Sequence, residues 1–455
     1  AIAYDMEKPY NVYGGLQDNG VWVGSSKYKK SARWFNTGHY PYKEIMGGDG
    51  MQIAIDNRDN NTVYTGFQFG WYFRVNKTTG EQKLIKPKHE LGERPLRFNW
   101  QTPIHLSKYN QDILYLGANK LYRTMDKGES WKAISDDLTL GGRKGDVPYG
   151  TLTCIDESSF QFGRILVGTD DGIIHLTKNS GSSWKKISDG LPANLWVTEA
   201  IQSKYEESRI YASLNGYRWD DFNSYLYVSQ DEGTNWERIG TDLPAEPVNV
   251  VYEDPKNENI LYVGTDNGLY ISMDQGRSFT MMSNGLPAVS VHDVEVHPRE
   301  NELIVGTHGR SIYLADVSQI QALDDNVKKE ELYVYDIKPQ NARRGLGAKK
   351  TIWSSDENKV WPLPFYAKQS GRVSVKILDE NGMVLFKDET NADAGINYYD
   401  YNYRLNTKYT DKFIQTLEDK KLKKKDDGNY YIPKGKYTLV LQKNGKEVSK
   451  DLVIE

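Results

Sequence analysis

Residues 124–131 read TMDKGESW, and three later stretches repeat the spelling: TKNSGSSW at 177–184, SQDEGTNW at 229–236 and SMDQGRSF at 272–279. The shared pattern is a hydroxyl residue, any residue, Asp or Asn, any residue, Gly, two more residues and an aromatic. In the four copies the key positions are Asp126 and Trp131, Asn179 and Trp184, Asp231 and Trp236, and Asp274 and Phe279. A short acceptor side chain that can bind backbone N–H groups, followed by a glycine free to take positive φ, specifies a turn. The aromatic supplies a packing surface for a neighbouring sheet. An active site needs one copy of its acid, so a carboxylate that recurs is read as part of the fold.

Each copy follows a glycine-centred strand pair, as in LYLGANKLYR, ILVGTDDGIIHL and LYVGTDNGLYIS, and a further strand with a Pro or Asx turn lies upstream. Such a unit is a four-stranded meander, and repetition of it predicts a propeller. Two degenerate units precede the four, at AIAYDMEKPYNVYGGLQDNGVWVG and MQIAIDNRDNNTVYTGFQFGWYFRV, and a seventh, VHDVEVHPRENELIVGTHGRSIYLADV, has three strands and no fourth. An unpaired edge invites association. We expect it to be covered by residues near Glu331 to Ile337 or by sequence preceding Ala1.

The composition agrees with short strands and tight turns: 40 Gly and 32 Tyr among 455 residues. A net charge of -4 and a pI near 6.1 provide no basic face for nucleic acid. The single cysteine, Cys154, excludes an intrachain disulfide framework and reads as a buried strand residue. No apolar run is long enough to span a membrane, and the N-terminus lacks a signal pattern. Ala1 in place of Met is expected to be a processed end or the limit of a fragment.

Beyond the boxes, NVYGGLQDNGVWVG, GGDG at 47–50, RFNW at 97–100 and VGTHGRSIYL complete a set of signatures over roughly residues 1 to 320. With them the chain resembles the Asp-box, or bacterial neuraminidase repeat, propellers, and among these the bacterial sortilin-like proteins often labelled glycosyl hydrolases. The resemblance implies a secreted or cell-surface protein of a bacterium, an upstream half with further blades, and a place in an outer-membrane assembly. Sialidases with this box use an arginine cluster, a Tyr and Glu nucleophilic pair and an acid–base Asp, a set with no counterpart here. Tyr252 and Glu253 adjoin, but Glu253 opens a turn before Asp254 and Pro255.

Several residues remain as candidates. The insertion NGYRWDDFNSY lengthens a connection of the fifth unit and gathers Arg218, Trp219, Asp220 and Asp221, which either grip a peptide or sugar or simply order the loop. Asp49 lies in a glycine-rich loop entering the second unit. Arg97 and Trp100 are expected either to line the central channel or to seal one blade against the next. Asp49 with Asp220 or Asp221 forms the first carboxylate pair to inspect for glycosidic chemistry. The seven histidines, among them His39, His89, His105, His175, His292 and His297, show no metal-ligand spacing, so no metal or cofactor is expected. His308, Gly309 and Arg310 read as a turn.

The expected division is a propeller over 1–325, a linker over 326–340 and an immunoglobulin-like β-sandwich over 341–455. The turns ENG and KNG join alternating strands there, and Tyr399, Tyr401 and Tyr403 share one face with Tyr398 on the other. The Lys run in LEDKKLKKKDDG reads as a solvated loop. The leading functional expectation is a non-catalytic protein whose propeller binds a peptide, protein partner or glycan. The alternative is a sialidase-like glycoside hydrolase.

Overall fold

A computed structural model describes every residue except 29–35, 39, 146, 344, 349–359 and 418–420. Expectations for His39 and for part of the Lys run therefore fall outside the described residues. The chain divides into two compact units, Ala1–Val317 and Ser318–Glu455.

The first unit is a seven-bladed propeller of six four-stranded sheets and one three-stranded sheet, each an antiparallel meander. The innermost strands are Ile2–Tyr4, Ala54–Ile55, Ile104–Leu106, Leu152–Glu157, Trp196–Gln202, Val248–Glu253 and Val291–His297. Each neighbours the next, and the ring closes where Val291–His297 of blade 7 lies beside Ile2–Tyr4 of blade 1. Backbone N–H of Ile2 donates to Asp293 Oδ2 at 2.8 Å and Tyr10 Oη donates to Glu302 Oε2 at 2.6 Å across that junction. The inner strands of blades 4 to 7 each carry a bulge, after Leu152, Val197, Val248 and Val291 respectively. A bulge sharpens local twist, which suits a strand that must turn through a narrow ring.

The boxes connect the third and fourth strands of blades 3 to 6, and each closes on itself in the same way. Thr124 Oγ1 accepts from Gly128 N at 2.9 Å and donates to Asp126 Oδ1 at 2.6 Å, while Asp126 accepts from Ser130 N at 2.9 Å. Asn179 reproduces the geometry with its amide, accepting from Ser183 N at 2.9 Å. Between hydroxyl and glycine, Lys127, Ser180, Glu232 and Gln275 all adopt left-handed φ near 60° (59°, 57°, 60° and 61°). The glycine is required twice over at Gly233: its φ is 77°, and a Cβ there would stand 2.7 Å from the Ile187 Cβ of the preceding blade. The aromatic then crosses the boundary, with Trp184 Nε1 donating to Ile134 O at 2.9 Å and Trp236 Nε1 to Ile187 O at 2.7 Å.

Cys154 is buried, and burial pushes its thiol up. Blade 7 consists of Val291–His297, Glu302–Thr307 and Ile312–Asp316, with no fourth strand among the described residues. The expectation that residues near Glu331 to Ile337 complete it is corrected. Leu332–Val334 instead pairs with Trp361–Ala367.

The second unit packs a three-stranded sheet, Leu332–Val334, Trp361–Ala367 and Gly395–Tyr401, against a four-stranded sheet, Val384–Ala392, Gly371–Leu378, Gly435–Lys443 and Lys446–Ile454. Their facing side chains, including Trp361, Phe365, Tyr401, Val375, Ile377 and Leu439, form one apolar core. Tyr399, Tyr401 and Tyr403 are buried in it and Tyr398 is exposed, as the alternation requires. The KNG hairpin turns on Asn444 and Gly445, both at positive φ. One strand of this unit thus begins inside the segment expected as linker.

Candidate functional site

Because consecutive strands of a meander run in opposite directions, the box turns and the first-to-second turns share one end of the propeller. The second-to-third turns and the crossovers between blades share the other. Asp49, Arg97, Trp100, Arg218, Trp219, Asp220 and Asp221 all lie on this second end, away from the boxes.

The blade 5 insertion is ordered by its own chemistry. Ile210–Gly216 runs into a single helical turn at Tyr217–Trp219, Asp220 adopts φ 57°, and Asp221–Ser229 returns. Asp221 accepts from Asn223 N at 3.1 Å, Asn223 Nδ2 at 2.7 Å and Tyr225 Oη at 2.7 Å, and the tyrosine bond holds its carboxyl below the usual range. Arg218 does not need a carboxylate to settle the loop, since its guanidinium lies 4.2 Å from the Trp196 ring centre. The product is an apolar tip, with Tyr217, Trp219 and Phe222 each at least half exposed (50%, 56% and 52%). Asp220 is exposed beside them.

The other candidates serve the scaffold. Asp49 Oδ1 accepts from Asp18 N at 2.8 Å, where Asp18 itself has φ 59°. The glycines around Asp49 are there for close approach, since a Cβ on Gly50 would stand 2.2 Å from Gly20 O. Arg97 clamps the crossover beyond blade 3: Nε donates to Gly150 O at 3.0 Å and Nη2 to Asp137 Oδ2 at 2.6 Å. It holds Asp137 below the usual carboxylate range together with Thr139. Of the two expectations for Arg97, the seal between blades is the one the contacts describe. Trp100 is 39% exposed and packs edge-on to Phe69 at 5.2 Å. Neither Arg97 nor Trp100 borders the central cavity. Asp49 and Asp221 are thus both committed to turns.

The channel holds what the sequence reading passed over. A cavity of about 350 Å³ is bordered by His105, Lys108, Asp293 and Glu295 among others. Burial raises Glu295 to about 7, with Asp293 adding to the effect, while Tyr252 is hydrogen-bonded to it. Lys204 Nζ donates to Tyr252 Oη at 3.3 Å and sits 4.4 Å from its ring centre. Burial also raises Glu199, which faces Asp293, Asp156 and Glu295, and lowers Lys204 and His105. The signal was present in VHDVEVH, whose inner strand places Asp293 and Glu295 at alternate positions, and in Tyr252 of VNVVYED. Glu253 faces away from this cluster and holds blade 5, accepting from Ser203 Oγ at 2.8 Å and Lys204 N at 2.6 Å. Among the described residues no group of His, Cys, Asp and Glu could hold a metal. Nor is any helix there long and apolar enough to cross a membrane.

Comparison with known proteins now adds a family. Two solved GH74 structures are similar to the chain at low identity. The GH74 xyloglucanase from Xanthomonas campestris is 16% identical with a TM-score of 0.46, over 67% of this chain and 50% of that one. The GH74 enzyme from Niastella koreensis is 14% identical with a TM-score of 0.48, over 96% of this chain and 70% of that one. The chain thus spans half the length of the Xanthomonas enzyme. No curated protein matches it. The family model Sortilin-Vps10, described as sortilin, neurotensin receptor 3, matches residues 224–454, which begins within blade 5 and takes in the second unit, further along than the residues 1 to 320 that carried the resemblance. That match covers just over half of the chain, which belongs to the Sortilin-Vps10 family.

Proposed function

We propose that the protein is a non-catalytic binding module of the cell exterior, presenting the loop end of its propeller to a peptide, protein or glycan. The observation that carries this reading is the exposed tip of Tyr217, Trp219 and Phe222 on an internally bonded hairpin. Rigid aromatic side chains give large contact area at low entropic cost, and anchors of this kind dominate binding energy. The candidate carboxylates Asp49 and Asp221 support it as well, since each is occupied by turn hydrogen bonds. The test is equilibrium binding to glycan and peptide panels by the wild-type protein and a Trp219→Ala, Phe222→Ala variant. Ligands lost by the variant support the reading. Ligands bound equally by both would remove the tip from it.

A glycoside hydrolase is the second reading, favoured by one feature: Glu295 is a carboxyl raised to about 7 inside a cavity, a proton donor of the kind such hydrolysis uses. Hydrolysis of polysaccharide or sialoside substrates, abolished by Glu295→Gln, would establish it in place of the first.

A further inference from the structure

Every blade turns from its first strand to its second over the same device: a side chain at the end of the first strand accepts the backbone N–H two residues on. In blades 1 to 6 the acceptors are Asp5, Asp56, Ser107, Ser158, Ser203 and Asp254, with bonds of 2.8 to 3.3 Å. In blade 7 the acceptor is an imidazole. His297 Nδ1 accepts from Arg299 N at 3.3 Å and from Glu300 N at 3.2 Å. An aspartate keeps its acceptor lone pairs down to about pH 4 and a serine hydroxyl does not titrate, whereas an ordinary imidazole surrenders the Nδ1 lone pair to a proton near pH 6.5.

His297 also stands where the ring closes. It is fully buried, with Tyr4 and Tyr10 of blade 1 against its ring at 4.8 and 4.1 Å between centres. Because Nδ1 is an acceptor, the proton of the neutral ring is on Nε2, which donates to Asp5 O of blade 1 at 3.3 Å. The turn that Nδ1 caps carries Arg299, whose guanidinium crosses the same join to Met6 O at 2.9 Å and Glu7 O at 2.6 Å. The charged side chains facing the imidazole are Arg299, Glu300 and Glu302. Glu300 accepts from Arg299 Nε, Glu302 is taken by Tyr10 Oη and Lys27 Nζ, and the Asp5 carboxylate by Asn11, Tyr13 and Lys77. Burial, with Arg299 adding to it, holds the imidazole below the ordinary histidine value.

We propose that the join between blade 7 and blade 1 is an acid-released latch, with His297 as its catch. A proton taken from solvent onto Nδ1 turns the acceptor into a donor facing two backbone N–H groups, and leaves a buried cation beside Arg299. The turn at Arg299 and Glu300 is released, and the guanidinium clasp on Met6 and Glu7 goes with it. The opened join takes up the proton near pH 6.5 and the closed join only at lower pH. Closure is therefore at full strength above about pH 6.5, and weakens by up to tenfold for each pH unit below it until the closed join also protonates. The latch is independent of the loop end. Its sign is opposite to that of the raised Glu295 carboxyl, so it is read locally and not from the stability of the whole chain.

Hydrogen exchange of the full chain, followed by mass spectrometry at about pH 7.5 and about pH 5 and corrected for the intrinsic pH dependence of exchange, tests it. The expected result is a loss of protection of about tenfold or more at residues 2–16 and 291–307 in acid, with Ile165–Thr169 of blade 4 unchanged. His297→Asn puts in blade 7 a short acceptor of the kind used in blades 1, 2 and 6, one that does not titrate, and is expected to abolish the acid loss. Equal protection at both pH values in the wild-type protein overturns the proposal, as does an acid loss shared by blade 4 or kept by His297→Asn. If His297→Asn is open already at neutral pH, NMR titration of the wild-type imidazoles decides, the His297 resonance being the one missing from the variant. Its midpoint must coincide with the loss of protection, and a separate midpoint overturns the proposal.

Discussion

Trp236 of blade 5 donates its indole N–H to the carbonyl of Ile187, the last aliphatic of blade 4, at 2.7 Å. The same bond joins Trp184 to Ile134. In blade 6 the position is Phe279, which has no N–H to give, and its backbone N donates to Asp242 instead at 2.7 Å.

Phe279 shows that the ring alone can fill this position. Trp236→Phe is therefore expected to destabilise by about 1 kcal/mol, the net worth of one hydrogen bond, while Trp236→Ala costs several times more through lost packing. Denaturant midpoints of the two variants check the ordering.

Two glycines with similar backbones separate conformational from steric cost. Gly233 and Gly309 have φ of 77° and 75°, but only Gly233 has a neighbour against its absent Cβ. Gly309→Ala is expected to cost about 1 kcal/mol for the left-handed backbone, and Gly233→Ala clearly more because Ile187 must move. Equal losses in thermal melts would remove Ile187 from the explanation.

Asp126, held down to about 2 by its hydroxyl and backbone donors, is replaced naturally by Asn179 in the next box, which keeps the Oδ1 bonds to Thr177 and Ser183 N and reverses the one to the serine hydroxyl, its amide donating to Ser183 Oγ. Asp126→Asn should leave the unfolding midpoint unchanged at neutral pH, and Asp126→Ala should lower it. A marked loss with Asn would mean that charge as well as geometry holds the turn.

The channel predicts a pH dependence. Glu295 binds its proton more tightly in the folded chain, at about 7, than an unfolded glutamate does near 4.3. Between those values the native state holds more protons, so the contribution of this group to stability falls as pH rises through that window. Glu295→Gln is expected to flatten the decline between pH 4.5 and 7.5. An unchanged slope in denaturation profiles would show that Glu295 titrates normally.

Much of the fold was legible because the box writes its geometry in residue types. A left-handed pair ending in Gly, and a hydroxyl two residues before Asp or Asn, leave few alternatives to a turn. Arg97 was less legible because its partners Asp137 and Gly150 are on a crossover far along the chain. At blade 5 the sequence named Arg218 and Trp219, while Tyr217 and Phe222 joined them only once the hairpin register was known. Glu295 escaped notice, and Tyr252 was weighed only beside Glu253, because only ring closure brings separate inner strands around one cavity. Leu332–Val334, within one of the two segments expected at the open edge of blade 7, pairs with Trp361–Ala367 instead, because a three-residue apolar strand fits any open edge.

The contacts at the boxes also have a direction. Each blade from 4 to 6 reaches back to the one before it, and none of them is reached by a box from blade 7, which has no such turn. The boxed arc is sewn one way, so heat or tension should part the ring first among the blades that carry no box.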